Sequence, residues 1–221
     1  MFEQPPVIGK ISVPRNFHQL GVLILDGSGS MGNVGNGNMT KADEVNIAVR
    51  DLLTRFKISR VRNNFSFAVV TFDTQAKVHT QVTDAGSVDD NEDYNPLPGH
   101  GGGTNIGAAL QEGWQVADAF IKSGPADGVK HSAVLLILSD GECQYAQQTM
   151  QLVEQLKGNP RVTIAAALFN KRGENDTVGR QMLRDIVTNP VLDFKDVYDA
   201  ETLRSFFEKS LSRASGGITI G

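Results

Sequence analysis

A single cysteine, Cys143, is all that 221 residues provide. No disulfide closes within one chain and no thiolate cluster holds a metal there, so disulfide scaffolds and thiolate-zinc folds are excluded. Positive charge is not in excess either. With 21 Lys and Arg against 25 Asp and Glu, the net charge of -4 argues against broad, sequence-independent binding to nucleic acid or anionic lipid, and neither partner is expected. No apolar run is long enough to span a bilayer. The opening Met-Phe-Glu-Gln-Pro-Pro lacks a basic segment followed by an apolar stretch, so a cytoplasmic location is the expectation. The four histidines are scattered without ligand spacing. What remains is an ordinary globular composition, long enough to bury a full core in one domain.

Residues 20 to 25, Leu-Gly-Val-Leu-Ile-Leu, form a short aliphatic run that suits a strand buried on both faces of a parallel sheet. Residues 1–18, with Pro5, Pro6 and Pro14, are expected to be an extended arm. Beyond the first strand lies a Gly/Asn-rich loop, Gly32 to Met39, and then Thr40-Lys-Ala-Asp43, which has the hydroxyl and acidic residue of a helix start. Val45, Ala48, Val49, Leu52, Leu53 and Phe56 continue at helical spacing to about Ser59. Phe65 to Phe72 and Ala76 to Val82, joined by Asp73-Thr-Gln, predict a hairpin. Thr83 to Gly103 is an acidic loop whose length raises a functional suspicion, and it leads to a helix from about Asn105 to Ile121.

Further on, strands are expected at His131 to Ser139, Val162 to Phe169 and Phe194 to Tyr198. Helices are expected at Ala146 to Leu156, Gly179 to Val187 and Ala200 to Ser212, with a polar loop from Asn170 to Thr177 and a frayed end at Gly216 to Gly221. The alternation predicts an α/β fold: a Rossmann-like, doubly wound, mainly parallel six-stranded sheet with one antiparallel edge strand and helices on both faces. The expected domain covers 19–213, followed by a flexible tail, 214–221.

Three segments share one rim of that sheet: Asp26-Gly-Ser28-Gly-Ser30, the stretch His100-Gly-Gly-Gly-Thr104-Asn105, and Ser139-Asp140-Gly141. Two follow strand ends, where open α/β sheets bind ligands. Each also has a plainer explanation, since Asp, Gly and Ser are turn residues and Thr104 stands where a helix cap is expected. As ligands, Asp26, Ser28, Ser30, Thr104 and Asp140 offer oxygen alone. That set suits Mg²⁺, with Mn²⁺ or Ca²⁺ as alternatives, and disfavours zinc. Two ionised Asp roughly balance the ion, so an Asp or Glu from a partner would still gain attraction at it.

This pattern resembles the von Willebrand factor A domains, whose metal-ion-dependent adhesion site (MIDAS) is written Asp-x-Ser-x-Ser with a later Thr and a later Asp. The resemblance runs from about Asn16 to Ser212, and includes Gly102 to Leu110 and Leu135 to Gly141. It implies that Asp26, Ser28, Ser30, Thr104 and Asp140 hold the ion, some directly and some through water. The single-domain layout is most similar to bacterial cytosolic members of the TerY type, associated with tellurium-resistance and stress operons beside a kinase and a phosphatase. Two departures stand out. Gly27 fills the variable position after Asp26, and Asn33 to Met39 lengthens the adjoining loop.

Among other residues, Asn105 is expected to cap a helix, Glu142 and His100 to play solvent or structural roles, and Trp114 to be partly buried. Lys171 and Arg172 lie on a loop expected to reach the same rim. The leading functional expectation is a non-enzymatic module that binds a partner's acidic side chain through Mg²⁺. The alternatives are a Mg²⁺-dependent phosphoryl-transfer or hydrolytic enzyme, for which no P-loop lysine or nucleophile-base arrangement is present, and a metal-free scaffold.

Overall fold

The computed structural model describes residues 17–124, 128–141, 143–144, 146–173 and 176–218. Six strands, β1 (Phe17–Asp26), β2 (Phe65–Phe72), β3 (Ala76–Asp84), β4 (Lys130–Ser139), β5 (Val162–Phe169) and β6 (Phe194–Val197), lie in the order β3-β2-β1-β4-β5-β6. All neighbours pair in parallel except β2 and β3, so the expected antiparallel edge strand is present. The helices are α1 (Lys41–Ile58), α2 (Ile106–Ser123), α3 (Ala146–Lys157), α4 (Thr177–Ile186) and α5 (Ala200–Ala214).

Period-two alternation divides the core into two. On β1, Leu23 and Leu25 pack with α1 and α5, whereas Leu20, Val22 and Ile24 pack with α2, α3 and α4. Strand β4 divides likewise, Leu136 and Leu138 facing one way and Leu135 and Ile137 the other. Helix α1 buries Val45, Ala48, Val49, Leu52, Leu53 and Phe56, the stripe its sequence predicts. Each buried Leu, Val or Phe of this kind contributes about 1.5–3 kcal/mol.

Several boundaries differ from the sequence expectation. Phe17 and His18 belong to β1 rather than to an arm, because both find partners across the sheet: Phe17 rests edge-on against Phe65 and the His18 ring meets Ser66 Oγ at 2.9 Å. The remainder of the proposed arm, 1–16, lies outside the described residues. Strand β3 runs to Asp84, since Thr83 and Asp84 still pair with Phe67 and Ser66. Thr177 opens α4 instead of ending a loop, because Asp176 caps that helix through Gly179 N–H. Of the expected tail, 219–221 lie outside the described residues. Helix α5 includes Ala214, and Gly216 and Gly217 take left-handed φ values of 88° and 86°, a conformation open to glycine, to return N–H groups to Arg213 and Ser212 carbonyls.

The sheet order reverses between β1 and β4. From β1 the chain crosses to β2 on one side, and it later returns to β4 on the other. Leu25 pairs with Leu138, so the two strands end side by side and open a crevice at the point where such sheets bind ligands.

Candidate metal centre

At the end of β1 the Asp26 side chain is fully buried between its own turn and β4. Oδ1 accepts the Ser28 N–H at 2.7 Å, and Oδ2 accepts the Ser139 hydroxyl at 2.5 Å. Burial, reinforced by the neighbouring Asp140 charge, pushes the Asp26 carboxyl up to about 6 despite the hydrogen bonds from Ser139 and Ser28 that oppose it. The turn explanation is therefore half realised, because Oδ1 makes an Asx-type turn. It does not account for Oδ2, which reaches across to the neighbouring strand.

The 3-10 turn Gly29–Gly32 carries the two serines onward. Ser28 stands at its N-cap without capping it, leaving the hydroxyl 3.1 Å from Ser30 Oγ. Ser30 Oγ donates to Asp140 Oδ1 at 2.6 Å, and Ser30 is exposed, so the group opens outward. Adjacent ligands of an octahedral Mg²⁺ stand about 2.9 Å apart, so the Ser28–Ser30 and Ser30–Asp140 spacings bracket what the ion requires. The donor set fits. Among the described residues no group of three or more His, Cys, Asp or Glu could hold a metal.

Thr104 arrives on a loop fixed from both sides. Gly29 N–H donates to Gly102 O at 3.1 Å and Gln144 N–H donates to Thr104 O at 3.0 Å, placing this loop between the other two segments. Asn105 is the N-cap of α2, accepting Ala108 N–H at 3.0 Å, so Thr104 is released from the capping role and is 7% exposed on the rim. Asp73 anchors the same loop. Although burial pushes its carboxyl upward, N–H groups of Gln75 and Gly102 and the His100 ring hold it down at about 2. His100 is thus a structural residue, 3.2 Å from Asp73 Oδ1 and 3.0 Å from Thr71 Oγ1.

Gly27 is required by close approach, since a Cβ there would strike the Pro96 carbonyl oxygen. The Asn33–Met39 insertion is a small closed loop with a Val34–Thr40 bridge. Asn36 at its tip donates to the carbonyls of Tyr198 at 2.6 Å and Asn170 at 3.1 Å, and accepts Arg172 N–H at 2.7 Å. The Lys171–Arg172 loop therefore meets the insertion, and Arg172 lies 3.7 Å from Asp199. Trp114 is partly buried against the α2-side core, as expected. Glu142 lies outside the described residues.

Two residues beside the site make contacts that the five-ligand pattern does not contain. Ser139 belongs to the Ser139-Asp140-Gly141 rim segment, where the sequence gives its hydroxyl no ligand role; its place at the close of an apolar run beside Asp140 is the available clue. Lys41 was read only as part of a helix start. Its ammonium donates to Asp140 Oδ2 at 2.8 Å from a side chain that is 9% exposed, and the Asp140 side chain is wholly buried. The clue was a lysine in the first turn of a helix, where the macrodipole disfavours a cation unless a carboxylate is near.

The family model described as von Willebrand factor type A domain matches residues 22–209, a span that contains all five candidate ligand residues. The chain belongs to this family. Von Willebrand A domains are protein-interaction modules and typically non-enzymatic. Among solved structures, this vWA domain is similar to the pilus adhesin SpaC of Lactobacillus rhamnosus GG, with a TM-score of 0.69 and 14% identity over 90% of this chain and 30% of that one. It also resembles a von Willebrand factor type A protein from Catenulispora acidiphila, with a TM-score of 0.63 and 19% identity over 90% and 43%. A third similar structure is proximal thread matrix protein 1 from the mussel byssus with a zinc-occupied MIDAS motif, with a TM-score of 0.57 and 20% identity over 91% and 47%. The chain thus spans less than half the length of these three. No curated protein sequence matches it. No helix among the described residues is long and apolar enough to cross a membrane.

Proposed function

We propose that this vWA domain is a non-enzymatic binding module that grips an Asp or Glu of a protein partner through a divalent cation held by Asp26, Ser28, Ser30, Thr104 and Asp140. The observation that carries this reading is the continuous run of oxygens, Ser28 to Ser30 at 3.1 Å and Ser30 to Asp140 at 2.6 Å, opening outward at the β1–β4 switch point. Mg²⁺ suits the all-oxygen donor set best, and Mn²⁺ or Ca²⁺ would be held by the same groups. The mussel protein with a zinc-occupied MIDAS supports metal occupancy at this place in the fold. When bound, the ion supplies a positive centre for the incoming carboxylate. Asp26 and Asp140 balance its charge while the neutral hydroxyls leave its attraction for an anion undiminished.

The expected setting is cytoplasmic, in a stress or tellurium-resistance assembly beside a kinase or phosphatase, with neither nucleic acid nor membrane as partner. A pull-down from the native cell in Mg²⁺ and in EDTA tests site and setting together. Partners should be retained in Mg²⁺, then lost in EDTA and with Asp26→Ala. Retention under all three conditions would defeat the metal-bridged reading. One observation favours a metal-free scaffold instead, namely that the Lys41 ammonium already neutralises Asp140. Native mass spectrometry without any bound Mg²⁺, Mn²⁺ or Ca²⁺ would establish that reading.

A further inference from the structure

We propose that Lys41 is the built-in counter-cation of the metal-free site: its ammonium holds Asp140 in place before an ion arrives and weakens the grip on that ion afterwards. This rests on the divalent-cation reading above and adds a residue that the five-ligand pattern does not contain. Lys41 is the first residue of α1 and is 7% exposed, so its charge is both largely desolvated and opposed to the helix macrodipole. Each of those penalties is tolerable only beside a carboxylate. The wholly buried Asp140 side chain needs a cation just as much, and it receives the ammonium on Oδ2 while Ser30 occupies Oδ1. Both oxygens of this ligand are thus satisfied without a metal.

Charge counting gives the consequence. Asp26 and Asp140 carry two negative charges, Lys41 returns one, and the metal-free site is left with a formal charge of minus one. A divalent ion converts that to plus one. The ion therefore enters against a fixed ammonium hydrogen-bonded to one of its own ligands, which lowers its affinity. The loaded site then keeps one uncompensated positive charge, and a single carboxylate from a partner neutralises it. Lys41 acts through Asp140, and is a positioning residue for the ion and for the anion that follows.

The test is a Mn²⁺ titration of the full chain followed by electron paramagnetic resonance, with thermal unfolding in EDTA and in Mn²⁺ as a second readout. Lys41→Met keeps the buried stem and removes the charge, whereas Lys41→Arg keeps the charge. Lys41→Met should bind Mn²⁺ about tenfold more tightly or better. It should also unfold at lower temperature than the parent in EDTA and recover that loss in Mn²⁺, while Lys41→Arg follows the parent. Should Lys41→Met prove too unstable to purify, Lys41→Gln takes its place with the same expectations. Equal or weaker Mn²⁺ binding by the neutral variant would overturn the proposal and leave the metal site standing. Absence of Mn²⁺ binding from both parent and variant would instead remove the metal site itself, and the proposal with it.

Discussion

Asp26 shows how a residue proposed as a ligand sets fold stability against that role. Its carboxyl titrates near 6 in the folded chain, against 3.8 without the protein around it, because burial disfavours the charged form. The folded state therefore holds its proton more tightly. The stabilisation from that proton is complete below 3.8 and is lost as pH rises through about 6. At neutral pH the buried charge then costs the metal-free fold up to about 3 kcal/mol. Asp26→Asn should accordingly raise the unfolding temperature in EDTA by roughly 2–8 °C at pH 7 and by progressively less towards pH 4, a trend that calorimetry across that range would show. The same substitution should abolish divalent-ion binding. In the parent, proton and metal compete for the carboxylate, so affinity for Mn²⁺ should fall as pH drops below about 6.

Elements carry the site by latching one loop to another. The Asp73 carboxylate holds the Thr104 loop, and its folded titration near 2 lies below the ordinary 3.8, so its contribution is present above 3.8 and lost as pH falls towards 2. Asp73→Ala should loosen the Thr104 loop and increase hydrogen exchange at Gly102, whose N–H donates to Asp73 Oδ2 at 3.1 Å. Asn36 performs the same service for the insertion. Asn36→Ala removes its three side-chain bonds at an exposed position, for a cost of about 1 kcal/mol, and faster exchange at Gly35, bonded to Met39 O, would report it. How legible these elements were depends on the range of the interactions that make them. Strands β1, β4 and β5 were legible because an unbroken apolar run is a local property. The two Asp, two Ser and one Thr were legible as a pattern, and the sheet order explains why three distant segments meet. The Lys41–Asp140 and Ser139–Asp26 contacts join residues 99 and 113 positions apart, and no local signal encodes such a pairing. Thr104 and Asn105 were ambiguous because both are capping residues, and only the backbone path into α2 assigns the cap to Asn105.

Across the whole molecule, an ion that binds only the folded chain stabilises it in proportion to saturation. At about a hundred times its dissociation constant, Mg²⁺ or Mn²⁺ should add about 2.7 kcal/mol, or roughly 5–10 °C for a domain of this size. EDTA or Asp26→Ala should remove that increment, and differential scanning fluorimetry would detect it. Both core layers contribute to the site through the strands they clamp, because β1 and β4 are shared between the α1–α5 face and the α2–α3–α4 face.

The placement of the Ser139 hydroxyl on Asp26 Oδ2 also decides when the site can exist during folding. One residue ends β1 and the other ends β4, so the anionic pocket forms only after the intervening chain has been threaded through a hairpin and two long helices to bring the two strands into register. A pairing of such high sequence separation closes late. The divalent ion then cannot serve as a template for collapse. In stopped-flow experiments it should leave the refolding rate unchanged and slow unfolding, acting as a clasp fastened on a completed chain.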